Sequence, residues 1–472
     1  MTRRKALLAA IALLAMAMIP SIITLRADTA PAPAPPPQAA SATAGATAGA
    51  TGGATGGATG GATTPIRHFV MVMQAGHSFD NYFGTYPGVD GTPPNACQPV
   101  DNSTTATSVG ACVRPYRLGT DPPEVLDETP SVQQRQFNSG RMDGFVAAYR
   151  KLGRDGTSAM GYYDDADLPY YWNVADEYTL FDHFFSSAKT GVRLNTFYWV
   201  AGVPTPNGSE AVPPSGYGDI PTVFDRLEAR GVTWKFYVEN LDRTRASAAR
   251  SSARIPLLGF SRFVQDPRLA AHIVDLKQYD ADLAAGTLPA VSYAVTAGSS
   301  EGPPARVTTG EMLVRGMVAG LQKSRFWPDS AFLMTYDGWG GFYDHVPPPS
   351  VDPYGYGFRV PTLLVSPYSR RGVVDHTTLD YTAALRFIED NWGLPRLGTR
   401  DAASPGLASA FDFTAPPRPA QLLGLDRTTS PDSTRARWAV YLTYGGALVF
   451  AAAAAWLPGR VRRRARAPEE VA

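Results

Sequence analysis

The stretch IRHFVMVMQAGHSFDNYFGTYPGVDG, residues 66–91, carries the strongest indication of fold class in the chain. Its run HFVMVM, residues 68–73, is almost entirely apolar and includes β-branched side chains. Such a run predicts a strand that is buried on both sides within a sheet. The loop that follows, QAGHS, then lies at the carboxyl edge of the sheet, where α/β proteins place their ligand sites.

Two similar runs, AFLMTYD at 331–337 and VPTLLVSP at 360–367, also predict buried strands that end in loops rich in Gly, Asp and Pro. Helical periodicity appears between the strand-like runs. The helical segments are TPSVQQRQF (129–137), TVFDRLEARG (222–231), GEMLVRGMVAGLQKS (310–324) and DYTAALRFIEDNWG (380–393). Strands that alternate with helices predict an α/β fold, with a mainly parallel sheet covered by helices on both faces.

The composition permits a large core and excludes one class of partner. The chain has 472 residues, of which 44% are hydrophobic, so it can bury an extensive interior. Its 43 basic and 42 acidic side chains give a formal net charge of +1. Because no excess of positive charge is present, we expect no nucleic-acid partner.

The N-terminus predicts a membrane-directed segment at residues 1–27. Ala6 to Leu25 form an uncharged stretch of twenty residues, long enough to span a bilayer as a helix. Arg3, Arg4 and Lys5 precede it and should keep this end in the cytoplasm. A cleaved signal peptide and an uncleaved anchor both fit this pattern.

A second uncharged stretch of twenty residues, Trp438 to Leu457, predicts a transmembrane helix. The sequence RVRRRARA follows it, so residues 458–472 are expected to form a basic cytoplasmic tail. A buried core helix is the alternative, but it would not need the flanking arginines. Both ends therefore predict a protein of the bacterial cytoplasmic membrane whose globular part faces outside.

The segments beside the membrane stretches predict linkers around one domain. Residues 28–64 consist largely of Ala, Gly, Pro and Thr in short repeats, which predicts a disordered tether because little apolar surface can be buried. Residues 65–420 have globular composition and form the predicted domain. Residues 421–437 are the second predicted linker.

The two cysteines of the chain, Cys97 and Cys112, lie in a turn-rich segment at a spacing that does not match a metal or redox pair. If the domain is exported, as the membrane segments predict, a local disulfide between them is expected. Two free buried thiols are the alternative.

Four regions resemble the bacterial phosphoesterase family, which contains phospholipases C and acid phosphatases. They are IRHFVMVMQAGHSFDNYFGTYPGVDG (66–91); GRMDGF (140–145) with MGYYDDADLPYYWNVADEYTLFDHFFSS (160–187) and GVRLNTFYWVAG (191–202); LPAVSYAVTAGSSEGPP (288–304); and MTYDGWGGFYDHVPPP (334–349) with VPTLLVSPYSRRGVVDHTTLDYTAALRFIEDNWGLP (360–395). They occur in the order of the family. The resemblance implies an alkaline-phosphatase-like α/β sandwich that hydrolyses phosphoric esters with a carboxylate-held metal and a Ser or Thr nucleophile.

The metal ligands that the resemblance implies are largely replaced. Members of the family usually read QENRSFDNYFG in the first region, with Glu and Asn as ligands, whereas Ala75 and Gly76 stand here. The related motif TWDDWGGFYDHV supplies two acids, but only Asp337 remains, since Gly338 takes the second position. One of four implied ligands is left.

The other reactive positions have changed as well. Val192 stands where the resemblance implies the nucleophilic Thr, and Thr190 is two residues away. Gly302 replaces the His of the motif SEHPP, and Glu128 aligns loosely with a further family histidine. The chain thus resembles a degenerate member whose chemistry was removed while its scaffold was kept.

Three functional hypotheses follow. The first is a membrane-anchored, non-catalytic binding or scaffolding protein with no cofactor, which binds a phosphorylated or glycosylated envelope ligand. The second is an active phosphoesterase with a divalent metal, in which Thr190 is the nucleophile and Asp337 is joined by Asp164, Asp165 or His345. The third is a purely structural envelope protein.

The remaining polar residues of the motifs have structural interpretations. Asp337 is expected to accept hydrogen bonds from loop amides, and Asp344 with His345 to fix a turn. His77 and His376 could join a new metal site, but surface or capping roles are the simpler expectation. The aromatic side chains of the first motif are expected to pack beneath its loop; these are Phe79, Tyr82 and Phe83.

Overall fold

The computed structural model of the protein describes residues 61–101, 112–119, 124–241 and 253–427. All of them belong to one compact unit, Thr55–Thr428. The two predicted membrane segments lie outside these ranges. Among the helices that the structure does describe, none is both long enough and apolar enough to cross a bilayer.

A mainly parallel sheet of eight strands forms the centre of the domain, as the sequence predicts. The strands are β1 His68–Gln74, β6 Thr179–Phe181, β7 Trp234–Val238, β8 Ile273–Asp275, β9 Val291–Val295, β10 Ser330–Tyr336, β11 Thr362–Val365 and β12 Val373–Asp375. Their order in the sheet is β12-β6-β11-β10-β1-β9-β7-β8, and of these strands only β11 runs against its neighbours. Two short ladders join the other strands, β2 Gln98–Pro99 with β3 Cys112–Val113, and β4 Tyr116–Arg117 with β5 Gly161–Tyr162.

Helices, most of them short, form the layers that cover the sheet. They are α1 Phe79–Phe83, α2 Pro130–Phe137, α3 Phe145–Arg150, α4 Pro169–Glu177, α5 Val192–Ala201, α6 Val223–Arg230, α7 Ser261–Gln265, α8 Pro267–Ala270, α9 Lys277–Ala285, α10 Val307–Lys323, α11 Thr382–Trp392 and α12 Thr399–Ala403. The four helical segments predicted from periodicity correspond to α2, α6, α10 and α11.

Helices cover both faces of the sheet. On one face, Met71 of β1 contacts Trp199 of α5, and Phe69 packs against Phe387 of α11. Val70 points to the opposite face and pairs in register with Phe332 of β10. Phe332 borders a small apolar space that is also lined by side chains of α4 and α10. Because every residue of β1 is buried, the continuous apolar run of its sequence follows from its central position.

A second, smaller hydrophobic cluster supports the loops at the edge of the sheet. It includes Phe145, Trp339 and Phe358. The predicted disulfide between Cys97 and Cys112 is present and joins β2 to β3 beside this cluster.

Residues at the inner ends of both predicted linkers, the first of which was expected to be disordered, make contacts with the domain. Thr63 and Thr64, at the end of the first linker, are hydrogen-bonded to Asn391 of α11. In the second linker, Arg427 forms ion pairs with Asp165 and Asp176. The packed domain therefore extends a few residues beyond 65–420 at each end.

Candidate functional site

The loops after β1 and β10 meet at the carboxyl edge of the sheet, because these two strands are parallel neighbours. Ala75 and Gly76 follow β1, and Asp337 and Gly338 follow β10. The Asp337 N–H donates to the Gln74 carbonyl at 3.0 Å. The structure therefore brings together the positions where the family resemblance implies metal ligands.

Asp337 is the surviving acid of the set, and one of its carboxylate oxygens contacts a backbone amide while the other contacts a guanidinium. Its Oδ1 accepts a hydrogen bond of 2.9 Å from the Gly76 N–H. Its Oδ2 lies 2.9 Å from Nε of Arg254, although this ion pair does not have hydrogen-bond geometry. Arg254 is also held by Thr296 and Ser300, at 3.3 Å each. A guanidinium group thus neutralises the one remaining carboxylate of the implied metal site.

Glu128 places a second carboxylate at the same point. A Cβ atom added to Gly76 would lie 3.4 Å from Oε1 of Glu128, and one added to Gly338 would lie 3.5 Å from Oε2. Burial and the nearby Asp337 raise the pKa of Glu128 to about 7, whereas Arg254 acts in the opposite direction. Glu128 therefore lies over the two glycines and uses the space that longer side chains would need.

The replaced histidine position lies against the replaced glutamate position. A Cβ atom at Gly302 would lie 2.8 Å from the Cβ of Ala75, closer than such atoms approach in proteins. The gap between these loops is therefore closed by the methyl group of Ala75 against the main chain of Gly302, and a larger residue at either position would require movement of the other.

The residues present do not fit the divalent metal that the family resemblance implies. Three of the four ligand positions carry no side-chain oxygen, because they are Ala75, Gly76 and Gly338. The fourth, Asp337, is already paired with Arg254. A divalent ion would have to displace the guanidinium or share its site at the cost of repulsion between like charges.

The position of the implied nucleophile lies at the start of α5. Val192 is the first residue of this helix, and the preceding Gly191 has φ +90°, a conformation that favours glycine. Glu210 accepts hydrogen bonds from the N–H groups of Arg193 and Leu194 at 3.0 and 2.9 Å. The helix N-terminus, which is a natural place for an anion, is therefore occupied by a carboxylate of the chain itself.

A hydrogen bond connects this helix to the Arg254 segment, since Thr196 donates to the carbonyl of Ala253 at 2.6 Å. Among the described residues, no hydrogen bond or ion pair joins Thr190 to Asp337. The two acids considered as further ligands are paired elsewhere: Asp164 contacts Arg117 and Asp165 contacts Arg427.

Beneath the site lies a buried network around Glu301. Three tyrosine hydroxyls donate to its carboxylate, those of Tyr82, Tyr171 and Tyr336. Burial raises the pKa of Glu301 to about 7, although the hydrogen bonds oppose this shift. Glu301 is thus a sequestered carboxyl group with no exposure to solvent.

His77 joins this network, and the surface or capping role expected for it is wrong. The side chain is fully buried, with one ring nitrogen 2.8 Å from the carbonyl of Glu301 and the other 2.7 Å from Oδ1 of Asn81. Its ring also stacks on Phe342. Burial lowers the pKa of His77 to about 4, so the neutral imidazole is a core residue. As expected, Phe79, Tyr82 and Phe83 are all fully buried.

Asp344 and His345 belong to a separate charged cluster at the rim. Arg359, which is fully buried, contacts Asp344 at 2.9 Å and Asp80 at 3.0 Å. His345 Nδ1 lies 2.7 Å from the Asp80 carboxylate. The turn is fixed as expected, since Val346 N–H donates to Asp344 at 3.0 Å, but the buried guanidinium that organises it was not predicted.

Three residues of this region could not be identified from the sequence: Arg254, Glu210 and Arg359. Each lies outside the reactive positions of the motifs, and Arg254 stands in the stretch ARIPLLGF, which matches no motif. Their roles depend on contacts between distant parts of the chain. No local pattern could have indicated them.

Comparison with known proteins identifies the family of this chain. The Phosphoesterase family profile matches residues 66–395. Phospholipase C B of Mycobacterium tuberculosis is 29% identical over 76% of this chain and 80% of its own length. The non-hemolytic phospholipase C of Pseudomonas aeruginosa is 28% identical, over 74% of this chain and 58% of its own length. A crystal structure of a protein in the alkaline phosphatase superfamily from Vibrio parahaemolyticus matches 62% of this chain and 72% of its own, with a TM-score of 0.35 and 16% identity.

Proposed function

The chain belongs to the phosphoesterase family, and we propose that it has lost the family's hydrolytic chemistry and acts as a non-catalytic binding or scaffolding protein. The observation that carries this proposal is the ion pair of Arg254 with Asp337, 2.9 Å from Nε to Oδ2. In place of a metal that polarises a phosphate ester, the site contains a guanidinium that its own carboxylates neutralise. Hydrolysis in this family depends on groups that act as a unit, so the loss of several removes the reaction.

The nucleophile position supports the same proposal. The methyl groups of Val192 cannot attack phosphorus, and Glu210 lies at the N-terminus of the helix that Val192 begins. A phosphoryl group there would face a carboxylate rather than free N–H donors. A substrate phosphate would therefore be repelled at the point where attack would occur.

The proposed setting is the outer face of a bacterial cytoplasmic membrane. Two sequence stretches support it, Ala6 to Leu25 and Trp438 to Leu457, each uncharged and long enough to span a bilayer. The disulfide between Cys97 and Cys112 supports an oxidising compartment outside the cytoplasm. In this proposal the membrane is a partner of the protein, and no cofactor is needed.

The ligand that we propose is a glycosylated envelope component rather than a phosphorylated one. A cavity of about 320 Å³ opens at the carboxyl ends of β7 and β8, and its lining includes three acids, Glu239, Asp275 and Asp280, and one base, Lys277, so its net charge is negative. Carboxylates accept hydrogen bonds from sugar hydroxyls but repel phosphate. Glu239 also accepts hydrogen bonds from Ala297 and Ser299, so one wall of the cavity is tied to the loop that leads to Gly302.

Turnover assays test this proposal. The full-length chain, purified in detergent, is assayed with a phosphate monoester and with phosphatidylcholine in Mg²⁺, Mn²⁺, Ca²⁺ and Zn²⁺. We expect no hydrolysis above that of the Asp337→Ala variant with any of these ions. Metal-dependent turnover that Asp337→Ala abolishes would establish the alternative, an active phosphoesterase.

A further inference from the structure

One side of helix α10 faces solvent and carries no exposed acid. The exposed residues of this helix are Thr309, Met312, Gly316 and Lys323. Their spacing of three, four and seven residues places them on one face. The one acid of α10, Glu311, is 2% exposed, because its carboxylate accepts hydrogen bonds from the N–H groups at the start of α4. The exposed side of α10 is therefore neutral or basic.

A segment near the end of the domain, residues 413–425, runs beside this face and is called the strap here. The carbonyl of Leu423 in the strap accepts a hydrogen bond of 3.4 Å from Nε of Arg315 in α10. Nη1 of the same guanidinium lies 3.9 Å from the sulfur of Met312. Arg315 therefore joins the strap to the exposed side of the helix.

Large apolar side chains are exposed where the strap and the helix meet. Met312, Leu422 and Leu425 are 44%, 54% and 41% exposed. They are three of the eight large hydrophobic residues that are exposed in the described part of the chain. Single residues of this kind are common on protein surfaces, but a group of them indicates a partner. The strap itself contains no acid, and the nearest one in the chain, Asp426, follows it directly.

The length of the chain beyond the strap favours a lipid surface as that partner. The described residues end at Arg427, and the predicted transmembrane stretch begins at Trp438. The ten residues between them span at most about 35 Å. A compact domain of about 360 residues is roughly 50 Å across. The connection is therefore too short for the strap to lie on the side of the domain that faces away from the bilayer.

We propose that the strap and the exposed side of α10 dock on the outer leaflet of the bilayer, with Met312, Leu422 and Leu425 inserted at the level of the lipid headgroups. Apolar side chains on one face of a helix bind the membrane interface in this way. Lys323, exposed at the end of α10, then faces lipid phosphates. The inference rests on the membrane setting of the proposed function and is independent of the loss of hydrolysis.

This contact also places the sugar cavity of the proposed function next to the membrane. Met312 and Gly316 line that cavity as well. Its acids belong to the other walls, since Glu239 follows β7, Asp275 ends β8 and Asp280 lies in α9. They therefore border the docking surface without forming part of it.

Fluorescence quenching in vesicles of phosphatidylethanolamine and phosphatidylglycerol tests the inference on the full-length protein. The chain has two cysteines, and both are in the disulfide, so an introduced cysteine is the one thiol to react. A nitrobenzoxadiazole label is attached to Met312→Cys, Leu422→Cys or Leu425→Cys. We expect phospholipids that carry a quencher to remove about half of its emission at each position.

Val264→Cys is the matched control. Val264 is 52% exposed and lies in α7. This helix packs through Phe263 against Phe224 of α6, and Phe224 in turn contacts Tyr293 of β9 on the face of the sheet that α5 covers. That face is opposite to α10. The label at this position should therefore keep its emission.

A label at Leu448→Cys, within the predicted transmembrane stretch, separates the possible failures. Quenching at Leu448→Cys without quenching at the three surface positions would overturn the inference and leave the membrane setting intact. No quenching at Leu448→Cys either would contradict that setting as well. Equal quenching at Val264→Cys would show that the contact is not specific to this surface. Emission that shifts to shorter wavelength without quenching would show that protein, such as a second copy of the chain, covers the surface instead of lipid.

Discussion

Arg254 Nε lies 2.9 Å from Oδ2 of Asp337, at the point where the family resemblance implies a metal ion. The guanidinium carries a single, fixed charge, so it neutralises the carboxylate without offering an open coordination position. The pair therefore preserves the electrostatic balance of the loops after β1 and β10. Under the proposed function, these loops no longer support Lewis-acid chemistry.

Removal of Arg254 should destabilise the protein and create affinity for divalent ions. In Arg254→Gln, Asp337 and Glu128 face each other without a cation. We expect the free energy of unfolding at pH 8 to fall by about 2–3 kcal/mol, which is less than the usual cost of breaking a fully buried ion pair. The loss should be smaller at pH 5, because Glu128, with a pKa of about 7, is then protonated. Urea unfolding at both pH values measures it.

A surface arginine provides the control for this experiment. Arg268 is exposed and pairs with Asp266, so Arg268→Gln should leave stability unchanged. Added Mg²⁺ or Mn²⁺ should raise the melting temperature of Arg254→Gln but not of the wild type. Equal stability of the two variants would show that Arg254 does not hold the carboxylates.

The buried Glu301 should make stability fall as the pH rises. Its pKa is raised from 4.5 to about 7 in the folded protein, so the folded state binds the proton more tightly than the unfolded state does. The resulting contribution of Glu301 to the free energy of unfolding is fully present below pH 4.5 and is lost as the pH rises to about 7. In Glu301→Gln, the decline between these values should be shallower.

Urea unfolding at half-unit pH steps measures this slope. Glu228→Gln, which changes a half-exposed glutamate, controls for the loss of a carboxylate as such. An identical slope in Glu301→Gln and the wild type would mean that Glu301 does not titrate in this range.

The close approach of Gly302 and Ala75 should make even one methyl group costly. We expect Gly302→Ala to lower the free energy of unfolding by about 1–3 kcal/mol, because the new Cβ atom would lie 2.8 Å from the Cβ atom of Ala75. Gly302→Ala combined with Ala75→Gly should recover part of the loss. Thermal or urea unfolding of the two single variants and the double variant measures this coupling.

Gly316 provides the opposite case. It lies within α10, and an added Cβ would meet no atom within 4 Å. Gly316→Ala should therefore gain about 0.5–1 kcal/mol, as expected for an open helical position. Similar effects of the two alanine substitutions would contradict the packing described at the site.

The disulfide should contribute measurably to stability. Cys97 and Cys112 are separated by 15 residues, and replacement of both by Ser should cost about 3 kcal/mol in the chain-entropy model. Alkylation of the unfolded, unreduced protein should modify no thiol. Two reactive thiols in oxidised material would show that the bond does not form.

Much of the fold could be predicted from the sequence, because the decisive information is local. A run such as HFVMVM can be stable only where both faces are covered, and this alone indicates a central strand of a parallel sheet. The disulfide also followed from two cysteines and an expected compartment. Motif order then identified the family. The absence of side-chain oxygens at Ala75, Gly76 and Gly338 was equally clear, since it can be read from the residue types alone.

The partners of the remaining charged groups could not be predicted. His77 looked like a surface residue, but it is buried because the loop after β1 folds under Glu301, 224 residues away in the chain. Glu128 aligned only loosely, yet its carboxylate lies beside Gly76 and Gly338. Such pairings depend on which loops meet at the edge of the sheet.

The sequence by itself determined which side chains of the family motifs are replaced in this protein, because the residues at Ala75, Gly76, Val192, Gly302 and Gly338 can be read directly at the motif positions. Only the tertiary structure decided what stands in their place. Arg254 meets Asp337, and Glu210 meets the start of α5, through contacts that the chain makes only when it is folded. Electrostatic pairing acts through space, so its outcome is fixed by the folded arrangement and not by neighbours in sequence.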